Sequence, residues 1–299
     1  MLKSIIVVTI LSLNVDNTER IYAKYLDYQT VEKGQVSLSL AKSWGASNTA
    51  GADYVLMQPQ SGKPVYLRFI EQDNANQHQA MKQLGWNATE ILVQDPDALA
   101  KKLRLSPFTI VGEPTFLTHQ KNIRAFQALG PNQELLYFTH IIDASLSKFD
   151  LGSATSYVDN VFIMVSGTRS LSATTLFYEQ QLKTDVRGPY PYRIGVLSRA
   201  YDLPEDTLHN LSLAQLDEQF LIELDQYPID AASLSRVLDE LPAGIAMVTF
   251  EVSDLSSSTL TFLTPPSKKQ AAPYFGRLSA TSIGPDGELI EFIEIQKPK

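Results

Sequence analysis

The sequence predicts an α+β fold: four βαβββ units forming two tandem domains, with curved mixed sheets wrapped around cavities. Two observations predict it. The chain resembles itself at a spacing near half its length, and each half reads as two cycles of one strand, one helix and three strands. The composition agrees. A chain of 299 residues with 44% apolar and 19% charged side chains is globular and long enough for two cores.

The repeat is carried by Gly130–Ile141 (GPNQELLYFTHI) and Gly284–Ile295 (GPDGELIEFIEI), which agree at six of twelve positions at an offset of 154. Both read as a Gly-Pro-Asn/Asp turn entering a strand. Three shorter echoes keep the same order. Tyr22-x-x-x-Leu26 returns as Tyr178-x-x-x-Leu182, Ile70-Glu71-x-Asp73 as Ile222-Glu223-x-Asp225, and Val93-x-Asp95 as Val252-x-Asp254. Together they argue for a duplicated domain. The halves are expected at 1–145 and 155–299, with the boundary in the Ser/Ala/Gly-rich stretch Asp143–Ser156.

Each element follows from local pattern. The opening MLKSIIVVTILSLNVDN imitates a signal peptide, but it lacks a small-x-small cleavage site and is interrupted by Thr9, Ser12 and Asn14. Its β-branched run predicts a buried strand over 4–15. A helix near 17–27 follows, with Tyr22 and Leu26 on one face, then strands near 35–40, 53–58 and 64–71. The second cycle has a strand at 87–93, a helix from Asp95-Pro96 to about Leu103, and strands near 107–112, 122–128 and 134–141. The third has a strand at 159–165, a helix over 170–183, and strands near 192–197, 211–215 and 219–225. ASLSRVLDEL (232–241) predicts a connecting helix. The fourth has a strand at 244–252, a short helix or loop after Asp254, and strands near 260–264, 275–282 and 288–295. A helix joining one strand to three later ones gives a curved sheet with one open face, and two such faces can close around a ligand cavity.

Several function classes are excluded or disfavoured. The net charge is −8 and no cluster of five Lys/Arg occurs, so no nucleic-acid surface is expected. No run of 18 apolar residues exists, so no membrane span is expected. Cys is absent, which rules out disulfides and thiolate chemistry and fits the reducing cytoplasm. There is no Gly-x-Ser-x-Gly elbow, phosphate loop, Gly-x-Gly-x-x-Gly or His-Glu-x-x-His. The expected partner is a small molecule, and a second copy of the chain is kept as a candidate.

Met247–Leu255 (MVTFEVSDL) and Gly284–Ile293 (GPDGELIEFI), with the order of elements, resemble the vicinal oxygen chelate superfamily, which includes glyoxalase I, bleomycin-resistance proteins and extradiol dioxygenases. The first looks like that family's first strand (His-x-x-x-x-Val-x-Asp), the second like its closing strand (Pro-Asp-Gly-x-x-x-Glu). Weaker versions occur in every unit. The resemblance implies a metal in the cavity, with ligands on the first and last strands of paired units. In the C-terminal half those positions are Glu223 and Glu291 on last strands, and Asn160 and Met247 on first strands, where His or Gln is usual. In the N-terminal half they are Glu71 and about Tyr137, and Thr9 or Val7 with Ala88.

Two converging carboxylates in a barrel suit either of two roles. They can hold a hard divalent cation, Mg²⁺ or Mn²⁺, through oxygen. Without metal they raise one another's proton affinity and form an acid–base couple. Glu223 and Glu291 are therefore the catalytic candidates and the candidate metal ligands. Asn160 and Met247 are ligand-binding candidates, although Met is a poor partner for a hard cation. The aromatic stretch GPYPYR (188–193) adds Tyr192, and Arg193 as a partner for a ligand anion. A one-residue slip in register would turn either glutamate to solvent, and a nearby Arg would make it a structural pair. The four His (78, 119, 140 and 209) occupy none of the expected ligand positions, which argues against iron ring cleavage. Two functions follow: a lyase or isomerase moving a proton on a small amphipathic or aromatic molecule in the C-terminal cavity, or a metal-free binding protein of bleomycin-resistance type.

Overall fold

A computed structural model describes residues 2–217, 219–234, 237–256 and 258–296. It contains the expected four units. The first has β1 (Leu2–Ser12), α1 (Val15–Leu26), β2 (Gln29–Gln35), α2 (Leu38–Ser43), β3 (Asp53–Gln58) and β4 (Tyr66–Glu71). The second has β5 (Gly85–Val93), α3 (Pro96–Leu103), β6 (Thr109–Phe116), β7 (Ile123–Leu129) and β8 (Leu135–Ile141). The third has β9 (Val158–Thr168), α4 (Leu171–Gln180), β10 (Asp185–Arg193), α5 (Gly195–Ala200), β11 (Leu208–Gln215) and β12 (Leu221–Gln226). The fourth has β13 (Ile245–Val252), β14 (Ser267–Lys268), β15 (Leu278–Ile283) and β16 (Leu289–Glu294).

The strands form two eight-stranded mixed sheets. Sheet I has the order β14-β15-β16-β13-β1-β4-β3-β2 and joins units one and four. Sheet II has the order β10-β11-β12-β9-β5-β8-β7-β6 and joins units two and three. The first strands make the seams: β1 lies antiparallel to β13, and β5 antiparallel to β9. Residues 1–145 and 155–299 each supply two units, but neither half closes a sheet by itself. The stretch expected as a boundary, Asp143–Ser156, connects β8 to β9 within sheet II. That pairing separates Glu223, in sheet II, from Glu291, in sheet I.

The central strands are covered on both faces, so they read as continuous apolar runs rather than alternations. β5 and β9 are buried along their whole length. One core is built from both sheets and from the apolar faces of α1, α3 and α4, with Tyr22, Leu99 and Tyr178 among its members. The opposite face of each sheet carries its own side chains: Trp44, Met247 and Leu289 in sheet I, and Tyr137, Val165 and Tyr227 in sheet II.

The duplication holds contact for contact. Ser12 meets Thr18 at 2.9 Å, as Thr168 meets Thr174 at 2.5 Å. The Val15 amide donates to Glu71 at 3.1 Å, as the Leu171 amide donates to Gln226 at 2.8 Å. The Asn132 amide donates to Glu134 at 2.8 Å, as the Asp286 amide donates to Glu288 at 2.9 Å. In both of these last turns the acid folds back over glycine, and a Cβ on Gly130 or Gly284 would lie 2.1 Å from a carboxyl oxygen. These matches also correct one echo. Glu71 corresponds to Gln226, so the counterpart of Glu223 is Arg68, three residues earlier.

Four expected elements differ. The strand expected near 260–264 is reduced to an isolated bridge at Phe262, and β14 lies at Ser267–Lys268. Residues 38–43, which overlap the end of the strand expected over 35–40, are helical, because Ser37 caps the Leu40 amide. The strand expected at 192–197 ends at Arg193 and turns into α5. No helix forms over 232–241 among the described residues, residues 235 and 236 lying outside them.

Candidate functional site

The middle of each sheet receives four side chains from equivalent positions, and the two sets differ. In sheet I they are Thr9 on β1, Arg68 on β4, Thr249 on β13 and Glu291 on β16. Thr9 lies opposite Arg68, and Thr249 opposite Glu291. In sheet II the counterparts are Val165 on β9, Glu223 on β12, Glu90 on β5 and Tyr137 on β8. Val165 lies opposite Glu223, and Glu90 opposite Tyr137.

The centre of sheet I is closed by its own hydrogen bonds. The Arg68 guanidinium donates to Thr9 Oγ1 at 3.1 and 2.9 Å and to the Tyr274 hydroxyl at 3.0 Å. It lies 3.6 Å from Glu291 Oε2. Glu291 accepts from Trp44 Nε1 at 2.9 Å, from Thr249 Oγ1 at 2.6 Å, and from the Tyr274 hydroxyl. Trp44 also stacks on Arg68, 4.6 Å from guanidinium carbon to ring centre. Arg68 and Glu291 are both buried. Losing hydration disfavours the Arg68 charge, and Tyr274 and Glu291 outweigh that loss and raise its proton affinity. Glu291, expected to be catalytic and to ligate a metal, is here the partner of a buried arginine. Met247 is two residues from the central position, which Thr249 takes, and packs in the apolar cluster with Trp44 and Leu289.

The centre of sheet II has acids in place of the cation. Glu223 and Asp225 share one face of β12, and Glu90 faces them from β5. Glu90 accepts from Thr139 Oγ1 at 2.5 Å. Asp225 is completely buried and hydrogen-bonds to Glu223, with no other donor among the described residues; the buried Tyr137 hydroxyl has no partner. Burial, and then the neighbouring Glu223, pushes Glu90 up to about 8 against the Thr139 bond. Burial, and then the charge of Asp225, raises Glu223 well above the usual carboxylate range, while Asp225 rises to about 7 through burial. Glu223 and Asp225 thus hold a proton between them.

Glu90 and Glu223 line a cavity of about 360 Å³. Its walls are mainly apolar, with Phe149, Phe162, Ile163, Tyr190 and Tyr192 among them. Burial pushes Tyr192 up to about 12, and its hydroxyl donates to the Leu117 carbonyl at 2.7 Å. Part of the wall, Leu146 to Phe149 and Leu151, comes from the stretch expected to be a domain linker. The volume suits a ligand of one or two rings.

The remaining candidates lie elsewhere. Arg193 is exposed at the end of β10, away from the cavity lining. Asn160 accepts from Lys63 Nζ at 2.9 Å and lines a separate cleft of about 440 Å³ between the sheets, where Asp159 forms an ion pair with the same Lys63. The sequence reading missed Glu90 and Arg68. Each is a charged residue inside an otherwise apolar strand (NATEILV, YLRFI), and that isolation is the signal that could have found them.

Neither centre fits a divalent cation. In sheet I a guanidinium sits among the oxygens, and in sheet II Val165 supplies no donor. Among the described residues, no group of three or more His, Asp or Glu is arranged to hold a metal ion. Among the same residues, no helix is long and apolar enough to cross a membrane.

The chain is similar in structure to maize glyoxalase I, with a TM-score of 0.61 at 12% identity, covering 97% of this chain and 92% of that one. A variant of the same maize enzyme gives 0.63 at 13% identity, covering 97% and 93%. A candidate dioxygenase from Bacillus subtilis gives 0.62 at 13% identity, covering 98% and 85%. The fold is therefore that of the vicinal oxygen chelate proteins over nearly the whole chain. No protein-family model matches the sequence, and no curated protein matches it.

Proposed function

We propose that the sheet II cavity is the working site, and that it moves a proton on a small amphipathic or aromatic molecule without a metal. The observation that carries this reading is a set of three acids at an apolar cavity: buried Glu90 and half-buried Glu223 line it, and fully buried Asp225 neighbours Glu223. Their raised proton affinities suit transfer near neutral pH. Glu90, protonated below about pH 8, donates to a carbonyl oxygen of the ligand. Glu223, ionised when the shared proton rests on Asp225, takes a proton from the neighbouring carbon. As the enol proton goes back to Glu90, returning the carbon proton at the γ-carbon of a β,γ-unsaturated carbonyl compound gives a double-bond isomerase, and losing a leaving group with its electron pair from the β-carbon gives a lyase. The site belongs to units two and three, not to the C-terminal half. The second reading, binding without chemistry, is favoured by the apolar walls.

Hydrogen exchange tests the reading. A panel of aryl and alkyl carbonyl compounds is incubated with the protein in D₂O and followed by proton NMR. Deuterium is expected to enter the position next to the carbonyl of at least one compound, at a rate cut a hundredfold or more in Glu90→Gln and Glu223→Gln. A compound that binds in the cavity but exchanges no faster than in buffer would leave binding alone.

A further inference from the structure

The two centres occupy equivalent positions, so sheet I shows what a buried acid in this scaffold needs. There Glu291 faces a cation, Arg68, which an aromatic ring covers. In sheet II the position of Arg68 is taken by Glu223, and the space beyond it is the cavity. Among the described residues, no Lys, Arg or His forms an ion pair with Glu90, Glu223 or Asp225. Lys148, the cationic residue in the lining, is not paired with them. The fully buried Asp225, whose hydrogen-bond partner among the described residues is Glu223, and the unpartnered Tyr137 hydroxyl neighbour Glu223 and Glu90. Buried carboxyl groups without a cation are held by protons, or by a charge arriving from outside.

We infer that the ligand of this cavity carries a protonated amine on an aromatic or short apolar body, with the ammonium seated between Glu90 and the Glu223–Asp225 pair. The inference rests on the cavity reading above and adds the ligand's charge. The ammonium takes the place that the Arg68 guanidinium holds in sheet I. Tyr190, Tyr192, Phe149 and Phe162 supply the apolar wall and aromatic faces that favour a cation. Charged donors pair with carboxylates more strongly than neutral ones do, and the advantage grows where water is excluded. An anionic ligand meets repulsion from the same acids.

The test is a charge series of one shape: 2-phenylethylamine, 2-phenylethanol and phenylacetate, titrated into the full chain at pH 7.5. Binding is read by calorimetry and by NMR shifts of the tyrosine rings. The amine is expected to bind at least tenfold more tightly than the alcohol, and phenylacetate more weakly than either. Glu223→Gln, checked for folding by its melting transition, is expected to remove most of the amine's advantage over the alcohol. Glu90→Gln provides a second variant should the first not fold. Equal affinity for amine and alcohol, or preference for phenylacetate, overturns the charge assignment and leaves the cavity reading standing. An absence of binding by all three, with the tyrosine signals unmoved, overturns both.

Discussion

The two sheet centres are copies of one design that have diverged in opposite directions. In sheet I four central positions became Thr9, Arg68, Thr249 and Glu291, and the buried charges satisfy one another through Trp44 and Tyr274. In sheet II the same positions became Val165, Glu223, Glu90 and Tyr137, and the acids face a cavity with no ion pair to them among the described residues. A closed ion pair holds a structure together; an open set of acids is ready for something else. One ancestral arrangement thus gives a closed, ion-paired centre and an open, acidic one within the same chain.

Breaking the closed centre is expected to have the largest effect. Arg68→Met leaves Glu291 buried without its cation and should cost about 3–5 kcal/mol in urea unfolding, whereas the double variant Arg68→Met/Glu291→Met should recover most of that loss. If the single variant melts like the parent, the ion pair is not what organises sheet I.

The open centre should respond in the other direction. Glu90 binds its proton more tightly in the fold than in the unfolded chain, rising from an ordinary 4.5 to about 8. Between those values the native state holds more protons than the unfolded state, so stability falls as pH rises across that window. Glu90→Gln keeps the shape and removes the titration. It should leave stability unchanged near pH 4 and raise it by roughly 2–4 kcal/mol near pH 8. A parallel offset at both pH values would show that the gain has another source.

A smaller contrast separates the two halves. Tyr22 donates to Glu134 at 2.6 Å, whereas the equivalent Tyr178 hydroxyl, facing Glu288, has no hydrogen-bond partner. Tyr22→Phe should cost about 1–2 kcal/mol and Tyr178→Phe close to nothing. Equal losses would mean that the two turns work alike. A small effect is also expected at the cavity wall. Tyr192→Phe removes one partly exposed hydroxyl bond to Leu117, at under about 1 kcal/mol in thermal unfolding. Any larger change should appear in ligand affinity.

The four-unit fold was legible because its signals are local and doubled: the Gly-Pro turns, the Tyr–Leu helices and the apolar first strands each occur where the repeat requires. The pairing of units was not legible. Placing β1 against β13 rather than β1 against β5 depends on long-range packing, and each first strand is apolar enough for either partner. That pairing decided which acids meet, so Glu223 was found but given the wrong companion. The register error at Glu71 had a different root: the Ile-Glu-x-Asp echo aligns Glu71 with Glu223 at an offset of 152, whereas the strand contacts align it with Gln226 at 155.

The interleaved pairing also bears on how the molecule comes together during synthesis. Residues 85–226 contain every strand of sheet II in one continuous stretch, while sheet I needs β1 to wait for β13, with Thr9 opposite Met247. On a nascent chain, the sheet bearing the acids has all its strands before the sheet bearing the ion pair can close. Until then the apolar strand β1 lacks one of its two neighbours and exposes a pairing edge to chaperones or to other chains.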